Sequence, residues 1–266
     1  MVERSSTSGP PIIRRFTVSG DPPLIVLPDH SSGLLEVTRT VLATPGLPDV
    51  ALIGGLAVTM RVSAAGAGHR ATIDIDLVTV DAEPEAAEVL ADAHHADPQP
   101  LIIDEVKVDL IATSAVTDDE LDGLGDKDRL FVAGHRWAFE GAEHSRLTVQ
   151  GADPVAIRVA TPAGLVATKS HAIGYPTSRR RATKSASDLL DLFRLVDLYN
   201  RDSQVSGELR GAPGRIARII ADVAQDQVLT NPAAATTKMA SASPAPIEVG
   251  DVETVIETFV DELRST

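Results

Sequence analysis

The chain has 266 residues and a mass of 28.0 kDa, enough for one or two domains with a sizeable core. With 43% hydrophobic and 23% charged residues it reads as globular, and the absence of cysteine excludes disulfides and cysteine-ligated zinc. Twenty-four basic residues against 38 acidic ones give a net charge of −14, which argues against a non-specific nucleic-acid binder.

Residues 1–22 are rich in Ser, Pro and Gly and are expected to be a flexible segment without the apolar core of a signal peptide. A helix is expected near Gly33–Leu42, ended by Pro45 and Gly46. Asp49–Ile53 reads as a short apolar strand, followed by Gly54-Gly55 at a strand-to-helix corner and by Leu56–Val62 with helical spacing. Thr72–Val80 alternates polar and apolar residues as a half-buried strand does. Pro84–His94 reads as a helix, Leu101–Thr113 as a strand or pair of strands, and Arg146–Val149 and Val155–Val159 as further strands.

After Ala160 the pattern turns helical. Thr161 caps a helix with Pro162 at its first position, running to about Ile173 and stopped by Gly174. Further helices are expected over Thr183–Asn200, Pro213–Val228 and Val252–Leu263, with a loop or linker over 231–246. The expected fold class is α/β (α+β), with a mixed-sheet domain over 23–160 and a helical domain over 161–266. No apolar run approaches the ~20 residues that span a bilayer, so a cytoplasmic protein with no membrane segment is expected.

The charge is unevenly placed. Ala71–Asp128 holds seventeen acidic residues against Lys107 and Lys127, a local balance of −15. Arg158–Ser187 holds Arg158, Lys169, Arg179, Arg180, Arg181 and Lys184 and no acid. Such runs are most often solvated faces.

The feature that points to chemistry is Gly54-Gly55 followed by Asp74-Ile75-Asp76. In a strand, residues two apart face the same side, so Asp74 and Asp76 present two carboxylates together. Like charges this close repel unless a cation lies between them, and oxygen ligands suit Mg²⁺. Asp109, flanked by apolar residues in Val106–Ile111, would add a third carboxylate from a neighbouring strand and complete a two-metal site for phosphoryl transfer. Glycine lets backbone approach a ligand closely, and N–H groups at a helix start attract phosphate. Downstream, Lys184, Asp188 and Asp191 stand at i, i+4 and i+7, on one face of a helix. The seven histidines form no zinc-hydrolase motif, and neither a P-loop nor a nucleophile elbow is present.

Leu52–Arg61 (LIGGLAVTMR) and Arg70–Val78 (RATIDIDLV) resemble the DNA polymerase β-like nucleotidyltransferases. Thr161–Leu195 is similar to the AbiEii/MenT group of toxins within that superfamily, with its helix-borne lysine (Lys169), arginine-rich stretch (Arg179–Arg181) and D-x-x-D-L helix (Asp188, Asp191). The chain departs from the group at Gly54-Gly55, where many members carry Gly-Ser. It departs again at Ser187, where the family often has a basic residue.

The resemblance implies transfer of a nucleoside monophosphate from an NTP to the 3′ end of tRNA, with a partner antitoxin controlling the toxin. It implies catalytic roles for Asp74, Asp76, Asp109, Lys169 and Asp191, with Asp74, Asp76 and Asp109 as the Mg²⁺ ligands. Nucleotide contacts fall to Gly54, Gly55, Lys169, Arg179, Arg181, Lys184 and Asp188, with Lys169 on the triphosphate. Two alternatives stand beside this reading: a small-molecule, antibiotic-type nucleotidyltransferase, and a catalytically quiet interaction module. Three mutually repelling carboxylates argue against the last.

Overall fold

The structure is a computed structural model that describes residues 22–80, 85–96, 100–114, 116–176 and 182–265. The segment up to residue 21 and the arginines Arg179, Arg180 and Arg181 lie outside the described residues. The chain builds a seven-stranded mixed sheet and a set of helices packed on it, an α+β fold with a helical C-terminal region.

The strands are β1 (Leu24–Leu27), β2 (Ala51–Ile53), β3 (Asp74–Val80), β4 (Leu101–Ile103), β5 (Val106–Thr113), β6 (Glu143–Val149) and β7 (Val155–Val159), in the order β1-β6-β7-β2-β3-β5-β4. β2, β3 and β7 lie in the interior of the sheet. All three residues of β2 are buried, as an apolar strand covered on both faces must be. β3 runs antiparallel to β2 and parallel to β5. β1 and its parallel pairing with β6 lie on the edge remote from these carboxylate-bearing strands.

The helices of the first part are α1 (Ser32–Leu42), α2 (Gly54–Ala64), α3 (Glu85–His94), α4 (Asp118–Asp122) and α5 (Asp126–Glu140). α6 (Pro162–Gly174) begins at Thr161, whose hydroxyl accepts from the Gly164 amide at 3.2 Å. α7 (Ala182–Tyr199), α8 (Gln204–Arg210), α9 (Ile216–Ala224), α10 (Pro232–Ala240) and α11 (Val249–Arg264) complete the chain. The last strand ends at Val159 and the helices from α6 onward follow it. The two parts nevertheless share one continuous apolar core, from Ile25 and Leu27 in β1 to Phe259 and Leu263 in α11. Among the described residues no helix is long and apolar enough to cross a membrane.

One expectation is corrected. The stretch over 231–246 is not a loop throughout, because α10 occupies Pro232–Ala240 within it. The Asn231 side chain accepts from the Ala234 amide at 3.1 Å, Pro232 takes the first helical position, and Ala235, Thr236 and Met239 are buried. Apart from Thr236, the Ser, Thr and Pro that suggested a linker sit at the cap, on the exposed side or in the non-helical stretch that begins at Ser241. α5 was not foreseen from the sequence either. Its polar content conceals the fact that Leu130, Ala133, Gly134, His135 and Ala138 share the face against α6.

That crossing is close because it is built on glycine. A Cβ on Gly164 would come within 2.8 Å of the Ala138 Cα, and one on Gly134 within 3.4 Å of the Ala167 Cβ. Gly164→Val is therefore expected to cost about 1–3 kcal/mol in urea unfolding by overpacking. Gly207→Ala in α8, where an added Cβ meets nothing within 4 Å, should leave the midpoint unchanged or raise it.

Candidate active site

β3 and β5 pair so that Asp76 stands beside Asp109 and Asp74 beside Lys107. Alternation along each strand puts all four side chains on one face of the sheet. On the other side of β3, Ile53 of β2 is the partner of Asp76, so Gly54 enters directly next to that carboxylate.

Gly54 has φ +68°, in the left-handed region, and a Cβ placed on it would overlap the Asp76 carboxylate. Conformation and space both demand glycine here. Gly54→Ala should therefore abolish function and lower stability by about 1–3 kcal/mol, read by thermal unfolding alongside activity. Gly55 is crowded as well: its Cβ would come within 2.7 Å of the Thr72 hydroxyl and 3.3 Å of Arg70 Nη2. The start of α2 has no side-chain cap and no acid in its first turn, while the Arg70 guanidinium lies beside it.

The electrostatics of the three carboxylates differ. Burial pushes the Asp76 carboxyl above its ordinary value; Lys169 and Lys184 pull it back, and Asp109 and Asp74 push it up again. Asp109 is paired with Lys107 Nζ at 2.5 Å in a partly exposed contact. Among the described residues no three His, Asp or Glu side chains already converge as metal ligands. The donor chemistry nevertheless fits a hard divalent cation: Asp74, Asp76 and Asp109 offer only oxygen, on one face, and Asp76 bears the repulsion of the other two.

α6 and α7 contribute a second cluster beneath the first. Lys169 Nζ lies 2.8 Å from Asp188 Oδ1 and 2.7 Å from Asp191 Oδ2, and its side chain is 7% exposed. Asp191, fully buried, also takes Arg70 Nη2 at 2.9 Å, Arg70 Nε at 3.2 Å and His69 Nε2 at 3.0 Å. Burial by itself pushes the Asp191 carboxyl up, but Lys169, then His69 and Arg70, outweigh it and hold the group well below the usual carboxylate range. Burial likewise disfavours the Lys169 ammonium, and Asp191 and Asp188 outweigh that, raising its pKa above the ordinary lysine value. The network pins the loop before β3 to α7, and thereby places Arg70 over the start of α2.

The structure thus gathers Gly54, Gly55, Asp74, Asp76, Asp109, Lys169, Lys184, Asp188 and Asp191 into one region. Lys184 is exposed on α7, and its charge acts on Asp76. Lys169, expected at the triphosphate, instead sits between two aspartates and presents no ammonium to solvent. Arg179 and Arg181, expected to contact nucleotide, lie outside the described residues. Arg158 of the same basic block bonds to Asp49 and the Phe139 carbonyl and stacks on the Phe139 ring, 4.6 Å from its centroid.

Three residues of the site were not singled out from sequence: His69, Arg70 and Lys107. Lys107 was legible in principle, since i, i+2 spacing places it on the same face as Asp109. His69 and Arg70 follow a Gly-containing loop, and nothing local signals that they reach Asp191, more than 120 positions onward. His69 Nδ1 is buried with no hydrogen-bond partner.

Compared with known proteins, the chain matches no protein-family model and no curated protein.

Proposed function

We propose that the protein is a Mg²⁺-dependent nucleotidyltransferase that moves a nucleoside monophosphate from an NTP to the 3′ end of tRNA, as the toxin of a toxin–antitoxin pair. The observation that carries the chemistry is the register of β3 and β5. It sets Asp76 beside Asp109 with Asp74 two residues away on the same face, against a glycine that both its left-handed φ and the nearby Asp76 carboxylate require. The choice of acceptor and the antitoxin rest on the resemblance of Thr161–Leu195 to the AbiEii/MenT group.

Asp74, Asp76 and Asp109 would hold the Mg²⁺, which when bound supplies positive charge against the triphosphate oxygens. The Gly55 amide and its successors at the start of α2 point N–H groups at the phosphates, with Arg70 beside them and Lys184 on the α7 side. Lys169 acts through Asp188 and Asp191 as a positioning residue. The transfer breaks the bond from the α-phosphorus to the pyrophosphate oxygen and forms one to the 3′ oxygen of the acceptor. The proton of that hydroxyl goes to the Asp109 carboxylate.

The test is to incubate the protein with each labelled NTP, Mg²⁺ and total tRNA. Label that appears in tRNA and disappears on removing Mg²⁺ is the expected result. Label on an added aminoglycoside but never on RNA would favour the small-molecule transferase. No NTP binding at all would leave an interaction module.

A further inference from the structure

A strongly basic surface lies outside the site, on helices the sequence reading assigned no role. Arg210 at the end of α8, Arg215 and Arg218 at the start of α9, and Arg264 at the end of α11 line one cleft of about 970 Å³. Asp222 is the one acidic side chain in the lining, which leaves the cleft at net +3 on a chain of net −14. Arg264 pairs with Asp222 at 3.0 Å, and Arg210 donates to the Glu262 carbonyl. The nearby Glu262 carboxylate is turned inward onto Ser203, Ser206 and Asn200. Arg215 and Arg218 are exposed and have neither a hydrogen bond nor an ion pair among the described residues.

These two cations sit at the first turn of α9, whose N-terminus has no side-chain cap and no acid. Positive side chains there oppose the helix dipole, an arrangement that an anion stabilises. The floor offers only Ala217 and Leu263, 8% and 5% exposed. It provides neither an aromatic anchor for a protein partner nor a platform on which a base could stack. What remains is guanidinium geometry, which matches phosphate.

We propose that this cleft docks the phosphodiester backbone of the acceptor RNA, positioning it without reading its bases; this rests on the transferase reading above. The contacts are few and local, since the cleft offers four arginines on a chain of net charge −14. Binding should therefore fall with salt along a slope set by a handful of phosphates.

The experiment measures binding of total tRNA to the full chain by fluorescence anisotropy between 50 and 300 mM salt, with NTP binding followed separately. For Arg215→Gln/Arg218→Gln the expected result is affinity about tenfold weaker at 150 mM and a log–log salt slope shallower by about 2, with NTP affinity unchanged. Arg215 has φ 52°, so Arg215→Gly relieves backbone strain while removing a cation. It should melt no lower than wild type and still bind tRNA more weakly, which separates binding from folding. Asp222→Asn should tighten binding. Wild-type affinity and slope in the double variant would overturn the cleft assignment and leave the transferase reading standing. No tRNA binding by the wild-type protein would overturn both. Equal loss of poly-glutamate and tRNA binding in the double variant would overturn the assignment in favour of an acidic protein partner.

Discussion

Asp76→Asn is expected to reduce nucleotidyl transfer by more than about 100-fold, the scale on which even indirect supports of a metal site act, while the protein becomes more stable at neutral pH. The two effects share one cause. In the folded chain Asp76 is pushed above its ordinary pKa by burial and by Asp109 and Asp74, against the pull of Lys169 and Lys184. The folded state therefore holds that proton to higher pH than the unfolded state. Stability contributed by this group is greatest below 3.8, the ordinary value, and falls as pH rises through the folded value. Asparagine removes the charge and with it the loss. The gain would appear as a higher melting midpoint at pH 7, and it should vanish as pH falls below 3.8. A variant that keeps wild-type transfer would sink the assignment of Asp76 to the reacting centre. A variant that melts lower at pH 7 would show that its carboxylate is held by partners rather than strained by its neighbours.

Asp191→Ala is expected to act in the opposite direction, through stability. It leaves the Lys169 ammonium with Asp188 as its one carboxylate and takes from the Arg70 guanidinium the carboxylate it pairs with, and breaking such a buried network from one side costs about 3–5 kcal/mol. Urea unfolding should show the loss directly. Because the Asp191 carboxyl is held below its ordinary value, its contribution is fully present above 3.8 and is lost as pH falls below it. Wild-type and variant stabilities should therefore converge in acid. Lys169→Met, tested alone and with Asp188→Leu/Asp191→Leu, completes the argument. The single change leaves two buried carboxylates short of a cation, whereas the triple change replaces that lysine and both carboxylates with apolar volume and should recover part of the stability, Arg70 and His69 being left without Asp191. If Lys169→Met unfolds like the wild type, the network is not what holds the loop before β3 against α7. Activity loss in Lys169 variants accordingly has to be read beside their stability, since the ammonium is enclosed by protein carboxylates.

The two clusters answer to different selection of residue types. On the sheet, like charges sit together with a single lysine at their margin, a surface that gains from an added cation. Under α7, two aspartates, a lysine, an arginine and a histidine satisfy one another almost completely. The upper face is suited to binding and the lower to holding that face in place.

The alternation in Thr72–Val80, the glycine pair after an apolar strand, and Thr161-Pro162 at a helix start each rest on local backbone preference. These were therefore legible from the residues alone. So was the α/β-then-helical order, and so were Asp74 and Asp76 as a pair, because a strand has only two faces. α5 was hidden by polar residues on its exposed side, and α10 by a composition that suits caps and loops equally. What neighbouring residues cannot determine is which distant charges meet. That Asp109 stands beside Asp76 follows from strand order. That Lys169 is enclosed by Asp188 and Asp191, with Arg70 and His69 arriving from the first half of the chain, follows from how α6 and α7 pack on α2. The net charge of −14 was fixed by the sequence. The basic cleft was decided only by folding, because helices α8, α9 and α11 bring together arginines up to 54 positions apart.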